Sequence, residues 1–194
     1  EKLGEQKLTV YTDADIQAAS GTDTPQQLID FDRAAIVYTS GSTGDPRGVV
    51  LSHGNLVANT KSIVDYLGLR SDDRILIVLP FPYVYGTSLL NTHFAAGASV
   101  VLDNRFTFPN VVLQTLEDSQ ATGFSGVPST FAILLGKSDV ASRSFPHLRY
   151  LTQAGGAMAP SLTAELTKVF KNQKLFIMYG ATEAGARLSY LDPE

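Results

Sequence analysis

Residues 74–79 read RILIVL: one cation, then an unbroken run of aliphatic side chains. A strand with one wet face alternates apolar and polar residues. A continuous apolar run is the pattern of a strand covered on both faces, as in a parallel sheet layered between helices. The neighbouring chain agrees. Upstream, Ser52 or His53 can cap a helix in which Leu56, Thr60, Ile63 and Leu67 recur at helical spacing and Gly68 marks the end. Downstream, the pattern predicts a helix from about Tyr85 to Ala96, a strand over 98–102, a helix over 109–118, a strand over 123–127 and a helix over 128–135 with Pro128 in its first turn. A strand over 148–154, a helix over 160–171 and a strand over 174–178 follow. Strand and helix alternate throughout, which predicts an α/β fold: a layered, largely parallel sheet flanked by helices.

The chain has 194 residues, enough for one domain or a large piece of one, and its 44% hydrophobic content suffices for a sizeable core. Net charge is −4, and Lys and Arg are scattered without a basic stripe, which argues against a nucleic-acid surface. The absence of cysteine excludes a disulfide framework and thiolate metal sites, and fits a reducing cytoplasmic setting. No apolar run approaches the roughly 18–20 residues that span a bilayer. No internal repeat or low-complexity tract appears. Residues 1–33 are polar and weakly periodic and read as a leading segment. The motif-dense domain is expected over 34–194, as a piece of a longer protein.

Three stretches carry chemistry. Residues 38–48, YTSGSTGDPRG, lie between the apolar strands 34–38 and 48–52, which the pattern predicts as a hairpin holding a long loop. The glycines let backbone N–H groups turn into one concavity, which suits an anion. Thr39, Ser40, Ser42 and Thr43 add hydroxyl donors, and Arg47 adds a planar fork for phosphate oxygens. No Gly-Lys-Ser/Thr follows at the spacing of the common nucleotide loop. The competing reading is a surface turn, the usual meaning of such composition. The second stretch is Tyr179-Gly180-Ala181-Thr182-Glu183, at the carboxyl end of a predicted strand, where open α/β sheets bind ligands. Tyr179 offers an aromatic face, Thr182 a hydroxyl for phosphate, and Glu183 the hard oxygen that Mg²⁺ accepts alongside substrate phosphates. A strand-exit turn with a capping Glu is the alternative. The third, Gln153-Ala154-Gly155-Gly156-Ala157, again follows a strand and permits close approach of a flat ligand, though most Gly-Gly pairs are only turns.

Together these stretches resemble the adenylate-forming (AMP-binding) enzymes, among them acyl- and aryl-CoA synthetases. Thr39 to Gly48 is similar to that family's phosphate-binding signature, and Tyr179 to Glu183 to its Tyr-Gly-x-Thr-Glu motif. Gly155-Gly156-Ala157 is similar to its adenine-site segment, and Leu79 to Gly86 to its acyl-pocket segment. The resemblance implies ATP-dependent activation of a carboxylic acid as an acyl-adenylate, then thioester formation with CoA or a carrier-protein thiol. It further implies that Thr39, Ser40, Gly41, Ser42, Thr43 and Gly44 with Arg47 hold the β,γ-phosphates of ATP. Thr182 would contact the α-phosphate and Glu183 would bind Mg²⁺. Gly155, Gly156, Ala157, Tyr179 and Gly180 would frame the nucleotide, and Tyr83, Gly126, Val127 and Pro128 would border the acyl group. Arg47 stands where the signature usually carries Lys, which keeps the charge but changes the geometry. Residues 80–90 contain no acid to pair an α-amine, which argues against an amino-acid substrate. The family's ribose-binding Asp motif and its C-terminal domain with the adenylation Lys are expected beyond residue 194, so this piece is expected to be inactive alone. A nucleotide- or acyl-binding module without catalysis is the alternative. His53 reads as a cap or surface group, and His93 and His147 have no partner at metal spacing.

Overall fold

The computed structural model describes residues 27–39 and 46–193. The earlier part of the predicted leading segment lies outside the described residues. An antiparallel hairpin comes first, β1 (Arg33–Thr39) and β2 (Arg47–Ser52), with Val37 opposite Val49 and Thr39 opposite Arg47. Ser52 then caps α1 (His53–Leu67). Its hydroxyl accepts from the Asn55 N–H at 3.2 Å, while the Ser52 N–H donates to Asn55 Oδ1 at 3.0 Å. This reciprocal pair satisfies donors that a helix start otherwise leaves free. Gly68 ends the helix in the left-handed conformation, at φ 58°. The predicted alternation follows: β3 (Arg74–Ile77), α2 (Val84–Ala95), β4 (Ser99–Leu102), α3 (Pro109–Asp118), β5 (Gly123–Gly126), α4 (Pro128–Lys137), β6 (Tyr150–Gln153), α5 (Pro160–Val169), β7 (Lys174–Tyr179) and β8 (Ser189–Leu191). Proline stands in the first turn of α3, α4 and α5, where its missing N–H would have no helical partner.

The sheet runs β4-β3-β5-β6-β7-β8, with every pair parallel except β7–β8. β3 explains its own sequence. Ile75 and Ile77 point to one face, into a core with Ile63 and Leu67 of α1 and Leu89 of α2. Leu76 points to the other, into a core with Val112 and Leu113 of α3, Phe131 and Leu134 of α4 and Leu166 of α5. Both faces being covered, no position in β3 after Arg74 tolerates a polar side chain. Each such aliphatic residue contributes about 1.5–3 kcal/mol by leaving water.

The predicted strands are trimmed at their ends. Val78 and Leu79 leave β3, and Ala154 leaves β6, because the chain there turns into the loops that line the site. β8 was not expected: Ser189, Tyr190 and Leu191 are all exposed, so they carry no periodic signal. Pairing of Met178 with Tyr190 and stacking of the Tyr190 and Tyr66 rings at 4.1 Å hold it in place.

At the amino ends of the strands a carboxylate clamp closes the sheet. Asp73, just before β3, accepts from Arg149 Nε (3.0 Å) and Nη2 (2.6 Å), Thr122 Oγ1 (2.7 Å) and the Arg70 N–H (2.8 Å). Burial raises its pKa, but these donors outweigh it and hold the carboxyl below the usual range. His93 is a core histidine. Its Nε2 lies 2.6 Å from the Tyr150 hydroxyl and its Nδ1 lies 2.8 Å from the Leu89 carbonyl. Burial pushes its pKa down to about 4, so the ring is neutral at pH 7.

Candidate functional site

The chain leaves β3 toward β4 and leaves β5 toward β6, in opposite directions along the sheet. Where connections diverge in this way a crevice opens at the carboxyl ends of the strands, the usual ligand position in such sheets. A cavity of about 440 Å³ lies there. Leu79 and Pro80 come to it from β3, Val127 from β5, Ala154 and Gly155 from β6, and Gly180, Ala181 and Thr182 from β7. Val37 and Tyr38 of the hairpin, with Tyr83 and Tyr85 at the start of α2, complete the wall.

Backbone fit shapes this wall. A Cβ on Gly180 would overlap the Ala186 carbonyl oxygen and lie 3.1 Å from the Arg187 Cα, so the β7 exit passes the returning chain only without a side chain. Gly155 has φ 83°, a conformation that favours glycine. Gln153 is buried and donates through Nε2 to the Gly156 carbonyl at 2.8 Å, which ties the Gly-Gly turn back to β6. Tyr85 is also buried. Its hydroxyl donates to the Thr152 carbonyl at 3.0 Å and lies 2.8 Å from Thr152 Oγ1. Burial pushes the Tyr85 pKa up, so this phenol stays protonated and anchors the wall.

Of the sequence-predicted residues, Tyr83, Val127, Gly155, Gly180 and Thr182 line the cavity together. Gly126 and Pro128 flank Val127 without lining it: Gly126 is the buried last residue of β5, and Pro128 faces Gly156. Gly156 and Ala157 are exposed beyond Gly155. Tyr179 ends β7 with 65% of its surface exposed, leaving a ring face available to a flat ligand. Thr39 and Arg47 stand opposite each other at the open end of the hairpin, with Thr39 Oγ1 donating to the Arg47 carbonyl at 3.4 Å. Ser40, Gly41, Ser42, Thr43 and Gly44 lie outside the described residues.

Glu183 sits apart from the main cavity. It belongs to a short 3₁₀ turn, Thr182–Ala184, and lines a separate cavity of about 350 Å³ with Asn55, Asn59 and Ser62. β2 lies against this turn. Among the described residues no group of three or more His, Asp or Glu side chains could cage a metal. Glu183 could therefore hold a cation only as one carboxylate among oxygens supplied by a ligand, which is the donor set Mg²⁺ takes on nucleotide phosphates. Sequence reasoning missed Val37, Tyr38, Tyr85 and Ala186 as wall residues. Tyr85 lies in the segment already singled out. Tyr38 opens the glycine-rich stretch 38–48, while Ala186 carried no local signal, because only the fold brings it to the crevice.

Comparison with known proteins points the same way. A family model described as AMP-binding enzyme matches residues 2–194. The chain is 36% identical over 184 residues to 4-coumarate–CoA ligase 5 of Oryza sativa subsp. japonica, covering 91% of this chain and 34% of that protein. It is 33% identical over 191 residues to 2-succinylbenzoate–CoA ligase of Bacillus pumilus, covering 97% of this chain and 38% of that protein. Among solved structures, o-succinylbenzoate coenzyme A synthetase from Bacillus subtilis, in complex with ATP and magnesium ion, superposes with a TM-score of 0.79 at 28% identity, covering 93% of this chain and 37% of that one. The chain spans little more than a third of the length of the relatives it matches.

Proposed function

Because the chain belongs to the AMP-binding enzyme family, we propose that the protein it represents uses ATP to activate a carboxylic acid as its acyl-adenylate and passes the acyl group to the thiol of CoA. Residues 34–194 are then part of its N-terminal, nucleotide-binding domain. One observation carries the reading: Tyr83, Val127, Gly155, Gly180 and Thr182, picked out from separate motifs, line one cavity at the carboxyl ends of the parallel strands.

The chemistry assigns a need to each group. A carboxylate is a poor electrophile. When one of its oxygens attacks the α-phosphorus, the P–O bond to pyrophosphate breaks and charge builds on the phosphoryl oxygens and the leaving group. Fixed donors at those positions lower the barrier. Thr182 offers a hydroxyl at the α-phosphate. Thr39 to Gly44 and Arg47 offer donors and a positive charge to the β,γ-phosphates. Glu183 would hold Mg²⁺, which supplies charge neutralisation across the phosphates when bound. Gly155, Gly156 and Ala157 leave room for the adenine, and the exposed ring of Tyr179 offers it a stacking face. Tyr83 and Val127, with Gly126 and Pro128 behind them, border the acyl group in a largely apolar wall.

The test is ATP-dependent pyrophosphate release by the full-length protein across fatty, aryl and amino acids. Release with one acid class is the expected result. No release with any acid, from folded protein that still binds ATP, would replace this reading with that of a nucleotide- or acyl-binding module.

A further inference from the structure

Gln153 is the last residue of β6 and is fully buried, with Gly126 of β5 and Ile177 of β7 as its strand partners. It shares a face of the sheet with Leu151, which packs in an apolar core with Phe131 and Leu166. Its Nε2 donates to the Gly156 carbonyl at 2.8 Å, and its Oε1 has no hydrogen-bond partner among the described residues. Leaving that oxygen unpaired in the interior is destabilising. Nor does Gly156 need the bond, because Gly156 is exposed and its carbonyl could turn to water. For stability alone, an apolar side chain of the same length would serve this position as well. The amide is therefore explained by what it does to the turn.

That turn has freedom to lose. Gly155 at φ 83° is followed by a second glycine, so the segment that leaves room for a flat ligand can also take other conformations. Packing restricts it on one side. A Cβ on Gly155 would lie 3.1 Å from Val127 Cγ1, and one on Gly156 would lie 3.4 Å from Pro128 Cγ, so the turn rests on the start of α4. Gln153 restricts it on the other and fixes a direction. A trans peptide points its C=O and its N–H opposite ways. With the Gly156 carbonyl drawn in to Gln153, the Ala157 N–H faces away from it. Release of the carbonyl would free this peptide plane to rotate.

We propose that Gln153 is a positioning residue for nucleotide binding: it holds the Gly155–Ala157 turn in the conformation that receives adenine. This rests on the function proposed above, which gives that turn to the adenine. The side chain itself touches no ligand. It orders the turn before ATP arrives, so that binding does not bear the ordering cost. Stability given up to an unpaired buried amide is exchanged for that order, a trade common at functional sites.

The experiment uses the full-length protein, with ATP affinity read by calorimetric titration and turnover by ATP-dependent pyrophosphate release. Gln153→Met keeps the length of the side chain and removes the amide. Its thermal midpoint without ligand should equal or exceed that of the wild type, while ATP binding weakens about tenfold, the upper worth of one hydrogen bond. KM for ATP should rise by the same factor, with kcat and the KM for the acid that supports release changed by less than about twofold. Gln153→Glu adds a pH signature. Its neutral acid can donate to the Gly156 carbonyl and its carboxylate cannot. Burial raises the pKa of such a group, so ATP affinity relative to wild type should recover as pH falls from about 8 to about 6. Unchanged ATP affinity in Gln153→Met would overturn the positioning role. So would a lowered midpoint with equal losses toward ATP and acid, the mark of a residue that serves the fold alone. Weakened ATP binding in Gln153→Met, when the wild type releases pyrophosphate with no acid, would keep the positioning role and remove the proposed function.

Discussion

The same substitution at two glycines should have opposite effects. At Gly180 a new Cβ would fall inside van der Waals contact with the Ala186 carbonyl oxygen and lie 3.1 Å from the Arg187 Cα. The obstacle is main chain, which no rotamer change relieves. Relief requires parting β7 from the returning segment, and these are joined by the Leu188 N–H donating to the Tyr179 carbonyl at 2.9 Å. Overpacking costs about 1–3 kcal/mol, and a main-chain obstacle puts Gly180→Ala near the upper end. At Gly136, inside α4, a Cβ meets nothing within 4 Å. Alanine there restricts the unfolded chain and favours the helix, a gain of about 0.5–1 kcal/mol. Thermal unfolding of both variants measures the stability difference, and ATP titration reads the site. Gly180→Ala should lower the midpoint by several degrees and weaken ATP binding about tenfold, since Gly180, Thr182 and Ala186 line one cavity. Gly136→Ala should raise the midpoint slightly and leave binding unchanged. A Gly180→Ala protein as stable as Gly136→Ala, with wild-type affinity, would refute the argument that the β7 exit is shaped by backbone contact.

The remaining predictions concern charge. His93 has a folded-state pKa depressed to about 4 from 6.5, so the unfolded chain binds the proton first as pH falls. Stability should be full above pH 6.5 and fall by about 3 kcal/mol as pH drops to 4, and chemical denaturation of wild type and His93→Gln across that range should show the slope shrink in the variant. Glu183→Gln should leave the fold unchanged, because Glu183 is exposed, yet cut Mg²⁺-dependent adenylation at least tenfold, roughly the loss of a charge-assisted contact; equal turnover would remove the metal role. Arg47→Ala should weaken ATP binding by about 10–100-fold and leave acid binding unaltered, measured by calorimetric titration of each ligand; equal ATP affinity would take Arg47 out of the phosphate grip.

Much of the fold was legible because its causes are local. RILIVL announces a strand covered on both faces, and Ile75, Leu76 and Ile77 do divide between two cores. Ser52 and Gly68 marked the ends of α1, because caps satisfy backbone groups within a few residues of themselves. The glycine-bearing motifs were legible for a similar reason: bare backbone after a strand needs an explanation nearby. β8 was not legible, since an exposed strand holds its place by pairing with β7 and by one aromatic stack, and neither leaves a period in the sequence. The wall contributed by Ala186, and the separation of Glu183 from the main cavity, were equally hidden. Arg187 is the clearest case. As a letter it is an ordinary cation next to Leu188, and nothing in its neighbours says that it is buried. The sequence by itself determined which segments form strands and helices and which loops are stripped of side chains, because those follow from short-range periodicity and backbone freedom. The tertiary structure alone decided which loops share a cavity and which cation is buried among hydroxyls and an aromatic ring, because burial and pairing arise between residues far apart in the chain.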